Sequence, residues 1–175
     1  MSRAELAVAI YERAHLTGSF LLRSGVTSTE YFDKYLFEAD PVLLRAIAEH
    51  MAELVAPDAD AIAGLELGGI PLVTMLAQVT GLPALFVRKK AKDYGTCRLA
   101  EGGEVDGRRL VVVEDVVTSG GQVVLSAGDL RAVGATVNDV VCVIDREAGG
   151  AAALAEIELT LKPLFTMSQL STDGR

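Results

Sequence analysis

The chain has 175 residues, half of them hydrophobic, only 5% aromatic and none Trp, and a formal net charge of −8. Such a charge excludes a generic nucleic-acid track, which needs an electropositive footprint. Two cysteines without a CxxC pair exclude a disulfide scaffold, and no apolar run reaches the ~18 residues of a membrane span.

In chain order, MSRAELAVAIYERAH carries charges throughout and reads as an amphipathic helix rather than a signal peptide, so a reducing, cytoplasmic setting is expected. SFLLRSG and STEYFDKYLF read as two extended segments around a turn at Ser24-Gly25. Asp40-Pro41 is a helix start, an N-cap followed by Pro at the first helical position. That helix runs to about Val55, with Leu43, Leu44, Ile47, Met51 and Leu54 as its buried stripe. AIAGLEL (61–67) is a buried strand, followed by a glycine turn and a helix that ends near Gly81. ALFVRK (84–89) and LVVVEDV (110–116) are further strands, and a helix runs from about Gly121 to Val133. TVNDVVCVID, a short Ala-rich helix and IELTLKPLF complete the pattern, and the final TMSQLSTDGR has no legible role. Four strand–helix alternations predict one α/β domain over 1–175, with a mostly parallel central sheet and helices on both faces. His15 and His50 fall in the predicted helices, outside any motif.

Ligands of such sheets bind at the carboxyl ends of the strands, where this sequence concentrates its unusual residues. In VVVEDVVTSGGQ (111–122), Gly120 and Gly121 permit a turn whose N–H groups converge at a helix start, with the Thr118 and Ser119 hydroxyls beside them. That nest suits a phosphate. Glu114 and Asp115 would repel one, so they suit sugar hydroxyls or a metal bound to the sugar. Together they describe a ribose 5-phosphate site. Gly68 and Gly69 allow a second close approach to an anion, although tight strand–helix packing explains paired glycines equally well. RKKAKDYGTCR (88–98) concentrates cations ahead of a glycine-rich stretch, and the irregular connection over about 90–107 is expected to be a flexible catalytic lid. Arg146, at the end of another strand, offers a planar fork for a carboxylate or pairs with Asp145 or Glu147.

The order of apolar strand, two acids, two apolar residues and Thr-Ser-Gly-Gly resembles the PRPP-binding motif of the type I phosphoribosyltransferases, PRPP being 5-phosphoribosyl 1-diphosphate. GSFLLRSGVTSTEYFDKY (18–35), RKKAKDYGTCRLAEGG (88–103) and IDREAGG (144–150) resemble the hood, catalytic loop and Asp-Arg-x-x-Gly-Gly segment of the orotate-using branch.

The resemblance implies a type I phosphoribosyltransferase fold with a small N-terminal hood over about 1–38. It implies transfer of phosphoribosyl from PRPP to orotate with inversion at C1 and release of pyrophosphate, in pyrimidine synthesis. Lys92, Tyr94 and Asp115 are implied as catalytic. Arg23, Gly68, Gly69, Arg88, Lys89, Lys92, Tyr94, Glu114, Asp115, Val116, Val117, Thr118, Ser119, Gly120, Gly121 and Gln122 are implied to hold PRPP. Arg23, Tyr31, Phe32, Thr118 and Arg146 are implied to hold orotate. Mg2+ is implied as cofactor, with no direct protein ligand: it comes bound to PRPP, near Glu114 and Asp115. A homodimer sharing its loops is implied, with Arg88, Lys92 and Tyr94 acting in trans and Lys89 in cis, and no nucleic-acid or membrane partner. Two departures stand out: Arg23 replaces a common Lys, and Tyr94 a common His. Transfer to another nucleobase, or PRPP binding by a regulator without catalysis, are the alternatives; a dinucleotide-binding oxidoreductase fails for want of GxGxxG.

Overall fold

A computed structural model describes residues 1–21, 25–90 and 99–173. Helix α1 (Arg3–Ala14) starts at a capping box in which Ser2 and Glu5 satisfy each other's backbone N–H groups. It is followed by an antiparallel pair, β1 (His15–Leu21) and β2 (Thr27–Phe32), which forms the hood. Two expectations are corrected here. His15 opens β1 and is not helical, because its backbone pairs with Phe32. The YLF segment is not extended: α2 (Tyr35–Glu38) is one helical turn, started by the Asp33 carboxylate accepting from the Tyr35 N–H and pinned by fully buried Phe37.

Helix α3 (Pro41–Met51) begins where Asp40-Pro41 predicts, the Asp40 carboxylate accepting from Val42 and Leu43 N–H. Leu43, Ile47 and Met51 are buried, while Leu44 and Leu54 are only half-buried. The central sheet then assembles from β3 (Ala61–Leu65), β4 (Ala84–Val87), β5 (Ala100–Glu101), β6 (Arg109–Val117), β7 (Thr136–Asp145) and β8 (Thr160–Thr166), interleaved with α4 (Gly69–Thr80), α5 (Gly121–Ala132) and α6 (Gly150–Ala155). Its order is β5-β4-β3-β6-β7-β8, parallel throughout except for the β4–β5 pair.

Successive strand residues point to opposite faces, and the buried residues sort accordingly. Ile62, Val111, Val113 and Val141 pack with α1, α3 and α4, whereas Ala61, Ala63, Val112, Val140 and Cys142 pack with α5 and α6. Helices therefore cover both faces, as predicted.

The irregular stretch is narrower than expected. Residues 100–101 belong to the sheet edge, with Ala100 opposite Val87 and Glu101 opposite Phe86. Residues 91–98 of the expected lid lie outside the described residues. The polar C-terminal segment also has a role: α7 (Met167–Asp173) buries Leu170 in the same core as α1. Among the described residues no helix is long and apolar enough to cross a membrane.

Candidate active site

From β3 the chain moves outward to β4 on one side, and it later returns to β6 on the other. The carboxyl ends of β3 and β6 thus flank a topological switch point, where an open sheet leaves a crevice for ligands. The loop after β6 lines a pocket of about 180 Å³ together with Glu114, Val116, Val117 and the first residues of α5. Gly120 enters α5 at φ +78°, and a Cβ there would stand 3.2 Å from the Gly150 carbonyl oxygen. Glycine is therefore required both by conformation and by space. At the start of α5 the Val124 N–H donates to Gly120 O. Earlier N–H groups of a helix lack intrahelical carbonyls and carry the positive end of its dipole, which makes this pocket suitable for an anion. Thr118 and Ser119 are exposed at its rim. The Gln122 side chain instead donates to Ser126 Oγ at 3.1 Å, leaving its backbone to face the pocket.

The two acids part company. Glu114 lines the pocket, while its Oε1 accepts from the Asp115 N–H at 2.9 Å. Asp115 is 1% exposed: Oδ1 accepts from the Val116 N–H, and Oδ2 meets the ammonium of Lys34. Gly68 presses on the same oxygen, since a Cβ there would fall 1.5 Å from it. Gly69 is equally confined, its Cβ position lying 2.5 Å from the Val113 carbonyl oxygen. Packing thus accounts for both glycines, and in the case of Gly68 the neighbour is itself a site carboxylate.

Behind Asp115 lies Glu38, 4% exposed, with neither carboxyl oxygen hydrogen-bonded to a standard donor among the described residues. Burial first, then the charge and hydrogen bond of Asp115, push Glu38 up to about 9. Burial also raises Glu114 well above the carboxylate range, reinforced by hydrogen bonding to Asp115. Burial would raise Asp115 too, but hydrogen bonds from Glu114 and Lys34 and the Lys34 charge hold it below its ordinary value. Lys34 is lifted by Asp115 against its own burial. Within the cluster Lys34 and Asp115 form an ion pair, while burial pushes Glu38 and Glu114 toward their protonated forms.

This arrangement makes a stability prediction. Between about pH 4.5 and 9 the unfolded chain has shed the Glu38 proton that the native state retains, so this group's contribution falls as pH rises through that window. Glu38→Gln should therefore raise Tm at pH 7, by the equivalent of about 1–2 kcal/mol after allowance for screening, and should lose that advantage near pH 4. Thermal melts running parallel from pH 5 to 9 would show that Glu38 is not carrying the proton.

At β4, Lys89 N–H donates to Glu66 Oε1 at 2.6 Å, which ties the loop after β3 to the basic segment. The Lys89 side chain is exposed, and Arg88 turns toward Glu101, Nε lying 3.5 Å from Oε1. Arg23, Lys92 and Tyr94, as well as Cys97, lie outside the described residues.

A second pocket, of about 300 Å³, opens between the hood and the end of β7, lined by His15, Ser28, Glu30, Tyr31, Phe32, Arg146 and Met167. Pairing of Val117 with Asp145 sets Arg146 level with Thr118, and the Arg146 N–H donates to Val117 O at 2.9 Å. Neither neighbouring acid takes its guanidinium. Asp145 accepts from the Glu147 N–H, and Glu147 accepts from Ser168. Arg146 is exposed and has no carboxylate partner among the described residues. Tyr31 stacks on Phe20 with ring centroids 5.5 Å apart, giving the hood a rigid aromatic wall. Sequence reasoning missed His15, Lys34 and Glu38. A signal for the last two was available, because positions i and i+4 share one helical face. Among the described residues no His/Cys/Asp/Glu group is arranged to hold a metal ion by itself.

The phosphoribosyl transferase domain family matches residues 37–158. An orotate phosphoribosyltransferase of Nocardioides sp. is 53% identical over 95% of this chain and 93% of its own length, and one from Halobacterium salinarum is 46% identical over 87% of each. Among solved structures, the orotate phosphoribosyltransferase of Mycobacterium tuberculosis is similar in its complex with inorganic phosphate (TM-score 0.87, 31% identity, 97% of this chain and 98% of that one). It is also similar in its complex with PRPP (TM-score 0.83, 30% identity, with the same coverage).

Proposed function

Since this chain belongs to the phosphoribosyltransferase family, and within it to the orotate phosphoribosyltransferases, we propose that its crevice joins PRPP to orotate at ribose C1, releasing pyrophosphate and forming orotidine 5-monophosphate for pyrimidine synthesis. The observation that carries this reading is the adjacency of two pockets of opposite design. One is a helix-start nest beside a buried acid, suited to a phosphorylated sugar. The other is an aromatic-walled slot with a guanidinium that has no carboxylate partner among the described residues, suited to a planar carboxylate.

On this reading, residues 118–122 hold the 5-phosphate, with Val116 and Val117 shaping the approach, and Glu114 faces the ribose hydroxyls with Asp115 behind it. Gly68 and Gly69 border the pyrophosphate. Tyr31 and Phe32 flank the orotate ring, Arg146 takes its carboxylate, and Thr118 lies between the two substrates. The transition state has oxocarbenium character, so the protein's task is to position two substrates and neutralise departing charge. Arg88, Lys89 and Lys92, together with Arg23, supply that neutralisation, Tyr94 donates a hydrogen bond to the pyrophosphate, and the loop excludes water that would otherwise hydrolyse the donor.

Mg2+ fits as a hard cation carried on the diphosphate oxygens, with Glu114 as the carboxylate that opens to the sugar. When bound, it offsets charge on the leaving pyrophosphate. A homodimer of single-domain subunits, in the cytoplasm, with Arg88, Lys92 and Tyr94 reaching the neighbouring site, completes the proposal.

The test is loss of orotate absorbance on mixing the protein with PRPP and Mg2+, run beside adenine, hypoxanthine, xanthine and uracil. Consumption of orotate alone, with stoichiometric pyrophosphate, is expected. Consumption of another base would overturn the role of the second pocket, and tight PRPP binding without turnover of any base would make the protein a regulator.

A further inference from the structure

Lys34 falls within the 18–35 segment but is not among the site residues that the resemblance implies, yet it makes the central ion pair of the site. It stands two residues past the hood strand that carries Tyr31 and Phe32, at the start of α2, and reaches the carboxyl end of β6 to meet Asp115. Exposure of the two partners is unequal: 33% for the lysine side chain and 1% for the aspartate. No oxygen of Asp115 remains open to the crevice, because Val116 N–H takes one, Lys34 takes the other, and Gly68 closes over the latter. An ammonium has three donors, and among the described residues Asp115 is the one ion-pair partner of Lys34. The Tyr35 ring centroid, 5.3 Å from Nζ, bounds a further side. What the pair presents outward is therefore the cation.

We propose that Lys34 is a donor-binding residue, an ammonium anchored by Asp115 that offers its remaining N–H groups to a phosphate or diphosphate oxygen of PRPP. The proposal rests on the reading that PRPP occupies the ends of β3 and β6. It gives buried Asp115 a definite task. A free lysine would sample many rotamers, whereas a lysine held by a buried carboxylate loses that freedom on folding, before ligand arrives. It also answers an electrostatic problem: an anionic donor enters a protein of net charge −8 beside the Asp115 carboxylate, whose charge the Lys34 ammonium offsets.

The experiment measures PRPP affinity by calorimetry, and KM for PRPP and for orotate separately, in wild type, Lys34→Met, Lys34→Arg, Asp115→Asn and the double variant Lys34→Met/Asp115→Asn. The Met variant is expected to weaken PRPP binding and raise its KM at least tenfold, with KM for orotate changed less than threefold, and Arg is expected to recover part of the loss. Because both residues act through one pair, the double variant should bind PRPP no worse than the weaker single variant. The double variant also serves if Lys34→Met does not fold, since removing both charges leaves no unpaired buried carboxylate. A double variant that binds PRPP within twofold of wild type overturns the proposal, as do single losses that multiply. Failure of wild type itself to bind PRPP would bring down the donor-site reading as well, whereas equal binding by wild type and variants removes the role of Lys34 alone.

Discussion

Ala at position 68 is expected to lower kcat/KM for PRPP by about 100-fold or more, although its backbone angles suit any residue. The φ of Gly68 is −66°, so the substitution carries no conformational strain. The obstacle is space: the new Cβ would fall 1.5 Å from Asp115 Oδ2. Either the carboxylate swings off Lys34 or the loop after β3 retreats from the crevice. Separating a buried ion pair costs about 3–5 kcal/mol, and each ~1.4 kcal/mol expressed in transition-state binding is tenfold in rate. Steady-state kinetics alongside a thermal melt show how the cost divides between function and stability. In an Asp115→Ala background the obstructing oxygen is absent, so Gly68→Ala should add little. An undiminished hundredfold penalty in that background would place the effect in the loop backbone and not in the carboxylate.

That coupling also marks the limit of what the linear sequence discloses. Strands β6 and β7 were legible because long β-branched runs ended in charge, β3 because a short apolar run led into paired glycines, and α3 because Asp40-Pro41 is a local cap. The phosphate nest was legible because its parts are contiguous. The Lys34–Asp115–Glu38 cluster was not, because it forms only when the hood folds back onto the end of β6. Alternation along a strand puts Glu114 and Asp115 on different sides, which the reading of both as sugar-facing overlooked, and the structure gives them separate surroundings. Strand β5, two residues long, is too short to carry a period. Helix α7 owes its place to packing of Leu170 beside α1, which a polar sequence does not advertise. His15 was misassigned because pairing with Phe32, a long-range contact, overrode continuation of α1.

Arg146→Ala tests the other pocket, and its effect should be confined to the acceptor. The guanidinium stands at the hood with no carboxylate partner among the described residues, its main chain fixed by Val117 O. Its removal therefore breaks no ion pair among those residues, and Tm should move little. What disappears is a charge-assisted, two-pronged contact to the orotate carboxylate. Truncating one partner of such a pair costs about 2–5 kcal/mol, so kcat/KM for orotate should fall by about 30-fold to 1,000-fold or more, while PRPP affinity stays within twofold. Lysine should restore only part of the loss, since a point charge cannot reproduce the planar fork. Uracil, which lacks the carboxylate, supplies the internal control: whatever slow turnover it shows should be nearly the same in wild type and variant, so that discrimination collapses from the orotate side. Equal losses for orotate and uracil would instead mean that Arg146 shapes the pocket as a whole, and the carboxylate would have to be read by another cation.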